Sequence, residues 1–369
     1  MADKRPVVID ARMPAYTGAG IARYVQGLLS GLAEVGVPNV AALIARREQG
    51  SWWQTLAQRG IRIRRAATPC HHPLERWAFP LEASRLHPAL LHLVDHVGPG
   101  IRPCPTIVTV HDLAFWRYPW THSPASRRYY AAAAVTLPAA NAIICVSGSV
   151  RDELLRTLPL RPERVFVVHN GLDARFRPRR DQAAVERQFG VSHPYILAVG
   201  TIEERKNLTA LIDALYQLER PDIHLALVGA DGWGSDAVWR AAEERGMLDR
   251  IHRLGRVSDD DLPLLYSSAA ILAFPSRYEG FAFPPLEAMA CGTPVVAAHT
   301  SSLPEVCGDA AELTAPSAEG IAAGLAHLLD DASRREELIR RGRQQARHFS
   351  WQRCARETLA VYQGVLDRA

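Results

Sequence analysis

Short apolar runs alternate with stretches of helical spacing along most of the chain. Pro6–Asp10, Ile107–Val110, Ala142–Val146 and Val165–Val168 are brief and mostly apolar, the pattern of strands buried on both faces. Between them, Ile21, Val25, Leu28, Leu29 and Leu32 recur at the spacing of one helix face. Ser149–Leu158 reads as a helix that Ser147 caps. The alternation restarts at Tyr195–Val199, His224–Val228, Ala270–Phe274 and Val295–Ala298. Strand and helix in succession predict a doubly wound α/β fold with a parallel sheet, and the restart predicts two such domains. Arg175–Gln188, charged and holding Pro178, separates the two sets and is expected to be a linker. The chain closes on a helix from Trp351 to Asp367, with Ala355, Leu359, Tyr362 and Leu366 on one stripe.

A length of 369 residues suits two domains. The formal net charge of +4 is too mild to argue for a nucleic-acid partner. No apolar run approaches the roughly 20 residues that span a bilayer. Met1–Arg5 leads straight into a strand without a signal-peptide pattern. The six cysteines are scattered, with no Cys-x-x-Cys pair; reduced thiols, a cytoplasmic location and no zinc site are expected.

The segment from Ser276 to Val296 carries the chemistry. Glu279 and Glu287 stand eight positions apart across a glycine-containing loop. Pro285 suits the first turn of a helix and Gly292 its C-terminal cap. Such a helix points backbone N–H groups at the loop, which makes an anion site. An anion site between two carboxylates suits a nucleotide-sugar, with phosphate on the amides and hydroxyls on the acids.

The run Glu279-Gly280-Phe281-Ala282-Phe283-Pro284 through Glu287, followed by Cys291-Gly292-Thr293-Pro294-Val295-Val296, resembles the Glu-x7-Glu signature of retaining glycosyltransferases of the GT-B fold. The resemblance is to the large group-1 (family four) type, which includes bacterial mannosyl-, glucosyl- and rhamnosyltransferases. Other blocks match in the family's order: Tyr16–Ile21, Val110-His111-Asp112, His169–Asp173, Val199-Gly200-Thr201 through Lys206-Asn207-Leu208, and Phe349-Ser350-Trp351. The resemblance implies two Rossmann-like doubly wound domains facing across a cleft. Residues 1–172 would bind the acceptor and 173–350 the nucleotide-sugar, and the helix of 351–369 would cross back to the first domain. Asn170-Gly171 would end the first domain at a hinge.

The resemblance also implies roles. Lys206 becomes the ligand of the donor diphosphate and Arg205 a second one, stabilising charge that develops on the leaving group; a solvated basic turn is the alternative. Gly200-Thr201 departs from the Gly-Arg of many relatives, so the chain has one phosphate-binding arginine fewer or uses Arg205 instead. Glu279 would contact hydroxyls of the transferred sugar. The amides of Phe281, Ala282 and Phe283 would approach sugar or phosphate, with Gly280 allowing close backbone approach. Glu287 would hold the ribose, although a glutamate in a first helical turn is also favoured by the helix dipole alone. Val257, within Leu254–Ser258, would flank the nucleobase. His111 would be an active-site histidine whose neutral imidazole meets a hydroxyl; bonding to a neighbouring loop is the alternative, and His92, His96 and His169 are weaker candidates. Gly18 and Gly20 resemble the loop that lines the acceptor side, or they are turn chemistry. Arg23 at the third position excludes the dinucleotide fingerprint.

The implied reaction moves a hexose with retention from a nucleotide-sugar, GDP-mannose favoured, to a hydroxyl of a glycan or lipid-linked acceptor in bacterial polysaccharide synthesis. A donor phosphate oxygen would take the acceptor proton. No cofactor and no metal are expected: no metal triad or suitably placed Asp-x-Asp pair is seen, Asp259-Asp260-Asp261 reads as a helix N-terminal acidic run, and cations and helix amides would do a metal's work. A nucleotide-sugar epimerase or hydrolase of the same fold is an alternative, as is a non-catalytic nucleotide-sugar-binding protein. Arg46, Arg47, Arg59, Arg62, Arg64 and Arg65 cluster with Trp52 and Trp53 against a single acid, Glu48. They form either a surface for anionic headgroups at the inner face of the plasma membrane or a solvated excursion of a first-domain helix.

Overall fold

The computed structural model describes residues 5–18 and 20–368; the expectation for Met1–Lys4 and for Ala19 of the glycine loop lies outside them. The chain divides into two units, one running to Gly171 and resuming at Phe349, the other Leu172–His348. The first begins β1 (Val7–Ala11), α1 (Gly20–Val35), β2 (Val40–Ala45), α2 (Trp52–Gln58), β3 (Arg62–Ala66), α3 (Glu75–Ser84), β4 (Leu90–Leu93) and β5 (Thr106–Val110). Short helices α4 (Ala114–Arg117), α5 (Pro124–Ala131) and α6 (Ala133–Thr136) lead to β6 (Ala142–Cys145), α7 (Gly148–Thr157) and β7 (Val165–Val167). These strands form one parallel sheet in the order β3-β2-β1-β4-β5-β6-β7.

The second unit holds α8 (Gln182–Phe189), β8 (Tyr195–Val199), α9 (Leu208–Gln217), β9 (His224–Val228), α10 (Ser235–Glu244), β10 (Ile251–Gly255) and α11 (Leu262–Ser268). It continues with β11 (Ile271–Phe274), α12 (Phe283–Cys291), β12 (Val295–Ala298), α13 (Leu303–Cys307), β13 (Glu312–Thr314), α14 (Ala318–Asp330) and α15 (Ala332–Ala346). Its parallel sheet runs β10-β9-β8-β11-β12-β13. Each sheet starts in its middle and reverses direction there, the doubly wound arrangement in which ligands bind at the carboxyl ends of the strands.

The last helix, α16 (Trp351–Leu366), belongs to the first unit and packs on α1. Ser350 caps it by accepting from the Arg353 amide. Tyr24, Val25, Leu28, Leu29 and Leu32 of α1 are fully buried, and Ala355, Tyr362 and Val365 of α16 join them. Gly27 and Gly31 are required at this contact: a Cβ on the first would collide with the Trp351 indole, and one on the second with the Trp351 carbonyl. The Tyr362 hydroxyl lies 2.6 Å from His92 Nδ1, and His92 Nε2 lies 2.7 Å from Thr109 Oγ1. Burial, with a contribution from His111, pushes the His92 pKa down to about 3. His92 is therefore a neutral core residue that ties α16 to β4 and β5, not a ligand-facing one.

Two expectations are corrected. Arg175–Gln188 is not a linker: α8 starts within it, capped by Asp181, and buries Val185. The Arg179 and Asp181 amides donate to Ser267 and Ser268 Oγ at 2.8 and 3.2 Å, fixing the segment to the second unit. Nor is the arginine cluster a helical excursion. Arg62, Arg64 and Arg65 lie on β3, the sheet's edge strand, where charged side chains discourage pairing with other chains. Trp52 and Trp53 are half-buried against the first unit's core. Strands β2, β3, β4, β10 and β13 lie outside the predicted set. Substituting Gly31→Val is expected to lower stability by about 2 kcal/mol through overpacking at α1 and α16, read as a reduced urea midpoint at unchanged m-value.

Candidate active site

The site in the second unit is built from the loops that leave β8, β9 and β11. Gly200 and Gly229 end β8 and β9 with φ of 142° and 148°. A Cβ on Gly229 would run into the Gly200 carbonyl, and one on Gly200 would sit 3.3 Å from Lys206 Cε. The two glycines thus let the β8 and β9 loops touch and let the lysine stem lie over the backbone. Glu204–Lys206 forms a single 3-10 turn, and Asn207 leaves it at φ 59° to start α9. Buried Asn207 Nδ2 donates to the carbonyls of Pro275 at 3.1 Å and Pro316 at 2.9 Å. The Arg277 amide donates to the Arg205 carbonyl at 2.9 Å. These bonds tie the cationic turn to the loop after β11.

That loop supplies Glu279, only 7% exposed. Lys206 Nζ lies 2.6 Å from its Oε1 and Arg205 Nη1 lies 3.1 Å from its Oε2. Arg205 also donates to the Tyr278 carbonyl at 2.7 Å and pairs with Glu203 at 2.7 Å. Burial works to raise the Glu279 pKa, but Lys206 and Arg205 outweigh it and hold the carboxyl at about 2. Burial pulls the Lys206 pKa below its usual value; Glu279 opposes this, while neighbouring Arg205 adds to it. The main chain of Glu279 is fixed as well, its amide donating to Ser301 Oγ at 2.8 Å and its carbonyl accepting from Ser302 Oγ at 3.0 Å.

Beyond Gly280, α12 opens at Phe283 rather than Pro285, with Ala282 in the N-cap position at φ 72° and both prolines near its start. Gly292 ends it at φ 79°, in the C-cap position expected. The Phe281 and Phe283 rings pack edge to face at 5.4 Å. Glu287 lies past the first turn, so the dipole does not account for it. It is 1% exposed, and its Oε2 accepts from the Tyr266 hydroxyl of α11 at 2.7 Å. Val257 is half-buried in the loop after β10. Asp259 and Asp260 precede α11 and face Arg175 at 4.0 and 3.2 Å. Among the described residues, no group of His, Cys, Asp or Glu is arranged to hold a metal ion.

In the first unit, His111 follows β5. Its Nε2 donates to the Val94 carbonyl at 2.9 Å and its ring packs on Tyr24 at 4.8 Å. Burial pushes its pKa down to about 4, with His96 contributing, so the ring is neutral and Nδ1 is its acceptor. His96 is buried 3.0 Å from Asp95, and His169 packs on Phe349 at 5.6 Å. Gly18 and Gly20 are exposed at the start of α1, and nothing lies within 4 Å of a Cβ on Gly18.

A charged network at the same sheet edge was not among the sequence candidates. Arg12, 1% exposed, grips Asp10 through Nε at 2.8 Å and Nη2 at 2.7 Å, and Glu75 at 2.5 Å. Its guanidinium lies 3.6 Å from the Phe79 ring centre. Glu75 also accepts from the Tyr129 hydroxyl at 2.9 Å, and His71 Nε2 lies 3.0 Å from Asp95. Burial acts to raise the Asp95 pKa, but hydrogen bonding from His71 and the charges of His96 and His71 hold it at about 2. The available signal was Asp10-Ala11-Arg12, a charged pair at the carboxyl end of the first strand.

Residues 180–345 match the family model described as glycosyl transferases group 1, and residues 18–176 match glycosyltransferase family 4. O-antigen chain mannosyltransferase B of Escherichia coli is 35% identical over 311 residues, covering 78% of this chain and 81% of the relative. This chain belongs to the group 1 glycosyltransferases. Alpha-maltose-1-phosphate synthase of Mycolicibacterium smegmatis is 31% identical over 74% of this chain and 76% of its own. Sucrose-phosphate synthase from Thermosynechococcus elongatus shares the fold with a TM-score of 0.79 at 21% identity, over 99% of this chain and 100% of that one. Anabaena Alr3699/HepE, solved in complex with UDP and glucose, does so with a TM-score of 0.76 at 17% identity, over 97% and 99%. Both units of this glycosyltransferase therefore carry the Rossmann-like sheets of the GT-B fold.

Lys206→Met leaves Glu279 with one cation in a buried setting and is expected to cost about 2–3 kcal/mol at neutral pH. A carboxyl with a depressed pKa contributes stability above its ordinary value and loses it as pH falls through the folded one. The gap between wild type and variant should hold down to about the ordinary 4.5 and shrink from there towards about 2. Urea unfolding at several pH values reads it.

Proposed function

We propose that this glycosyltransferase transfers a hexose with retention from a nucleotide-sugar, GDP-mannose favoured, to a hydroxyl of a glycan or lipid-linked acceptor in bacterial surface-polysaccharide synthesis. The observation that carries the proposal is the convergence of Lys206 and Arg205 on buried Glu279, at the carboxyl end of the second sheet and joined through Asn207 to the loop before α12. On this reading the donor diphosphate takes over the two cations. Glu279, released from them, accepts hydroxyls of the sugar, and Glu287 receives the ribose in the setting that Tyr266 fixes. Val257 flanks the base, and the loop amides from Gly280 to Phe283 face the phosphates. His111 and the Gly18–Gly20 loop of the first unit serve the acceptor. Negative charge on the leaving diphosphate meets cations already in place, which supplies stabilisation without a metal. The mannosyl preference rests on relatives such as the O-antigen enzyme, and the nucleotide-sugar class also on the UDP-bound fold relative. The proposed setting is the cytoplasmic side of the membrane, where such donors are made.

Calorimetry with GDP, UDP, dTDP and ADP is expected to show GDP binding tightest, with Lys206→Ala weakening it about 100-fold, or roughly 3 kcal/mol. Glu279→Gln is expected to lower kcat/KM about 100-fold or more. The product should keep the donor's anomeric configuration by NMR, and transfer should survive excess chelator. Binding of none of the four nucleotides, or full activity in both variants, removes the assignment.

A further inference from the structure

The helix α3 turns apolar side chains both ways. Phe79, Pro80 and Ala83 face the interior. Leu74, Trp77 and Leu81, at spacings of three and four, face outward and are 58, 36 and 56% exposed. Arg85 continues the same stripe and is exposed. A surface helix normally carries polar residues on its outer face, so this one lacks a cover. The stripe is held in place: the Gly100 amide donates to the Arg76 carbonyl at 2.7 Å, and the Arg76 guanidinium stacks on the Trp77 ring at 3.9 Å.

The exposed charges around it are mainly positive. From His71 to Ala139 the acids are Glu75, Glu82, Asp95 and Asp112. Glu75 and Asp95 are buried in the network with Arg12 and His71. Glu82, on α3 itself, accepts from the Ala67 and Thr68 amides and keeps its negative charge, offsetting part of the basic surface, and Asp112 accepts from the Ala114 amide. The exposed charges are arginines, including Arg85, Arg102, Arg127 and Arg128. Tyr129 bonds to Glu75 and so sets the arginine-bearing α5 beside the start of α3. Gly98 bonds to Thr136 Oγ1, which brings strongly exposed Val135 to the loop that braces Trp77.

We propose that the outer face of α3, flanked by these arginines, is a docking surface for an anionic lipid bilayer. Leucine and tryptophan enter the headgroup boundary while the arginines meet lipid phosphates. This face exposes its apolar side chains more fully than residues 46–65, whose tryptophans are half-buried against the core. The inference is independent of the donor assignment, since none of these residues belongs to the proposed donor site.

The test is co-sedimentation of the full chain with phosphatidylcholine vesicles, with and without phosphatidylglycerol. Expected is binding to the anionic vesicles only, weakened by salt. Leu74→Ser/Trp77→Ser/Leu81→Ser should lose most of it, and Arg127→Glu/Arg128→Glu should weaken partition at least roughly fivefold per site. Both variants should keep wild-type thermal unfolding and wild-type nucleotide binding by calorimetry. Wild-type protein that stays in the supernatant with anionic vesicles, or variants that pellet like wild type, overturns the proposal. So does a wild-type dimer in sedimentation equilibrium that the triple substitution turns into monomer, because the occupant is then a second copy.

Discussion

A buried carboxylate cannot sit beside two cations unless the surroundings hold all three. Charges taken out of water lose several kcal/mol of solvation each, and only close, well-satisfied geometry returns it. Glu279, Lys206 and Arg205 meet that condition through their scaffold. Gly200 and Gly229 bring two loops into contact, Asn207 locks the cationic turn, and Ser301 and Ser302 fix the glutamate backbone. With Glu203 on the second face of Arg205, two acids balance two cations. The ligand-free cluster is thus close to neutral, and any anion that enters must compete with Glu279 for its cations. On the proposed reading this competition is useful. It leaves the glutamate free to meet the sugar only when the diphosphate is present, and it restores the pair when the nucleotide leaves.

The first unit uses the same topology for different chemistry. Its carboxyl edge carries neutral His111 and a carboxylate network around Arg12, and among the described residues no Lys–Arg pair converges there on one acid as in the second unit. His111 and His92 are kept neutral mainly by burial. A neutral imidazole suits a hydroxyl-bearing acceptor, whereas paired cations suit a diphosphate. The sheet order sets where ligands are expected, and the residues just past each strand set what they are.

Much of this was legible in the sequence, for identifiable reasons. Strands buried on both faces, such as β6, β8 and β12, are continuous apolar runs. Ser147 and Gly292 cap helices where side-chain chemistry or conformational freedom requires it. Glu279 and Lys206 were found because they stand in dense motifs. Their meeting was not legible, because 73 residues separate them and only the tertiary fold closes that distance. Arg12 escaped for the same reason: it follows a strand closely, but its partners Glu75 and Thr68 come from a distant segment. Glu287 looked like a dipole-favoured first-turn residue because Pro285 suggested a later helix start; Phe283 moves the boundary and leaves Glu287 as a buried acid needing Tyr266.

The arginines of β3 and those near α3 show why composition alone misplaces a surface. Both groups are basic, and the first lies near two tryptophans in sequence. On β3 the charge has a local cause, since an unpaired strand edge must be kept from pairing with other chains. Arg65 is folded back onto the Arg46 carbonyl at 2.8 Å, and Arg47 is stacked on Tyr16. Those guanidinium groups are partly occupied by their own unit. Around α3 no edge needs protecting, yet the helix exposes leucine and tryptophan where polar residues would cost nothing. An apolar stripe that the fold does not bury, next to more cations than the local acids offset, fits the proposed external phase, apolar within and anionic at its surface.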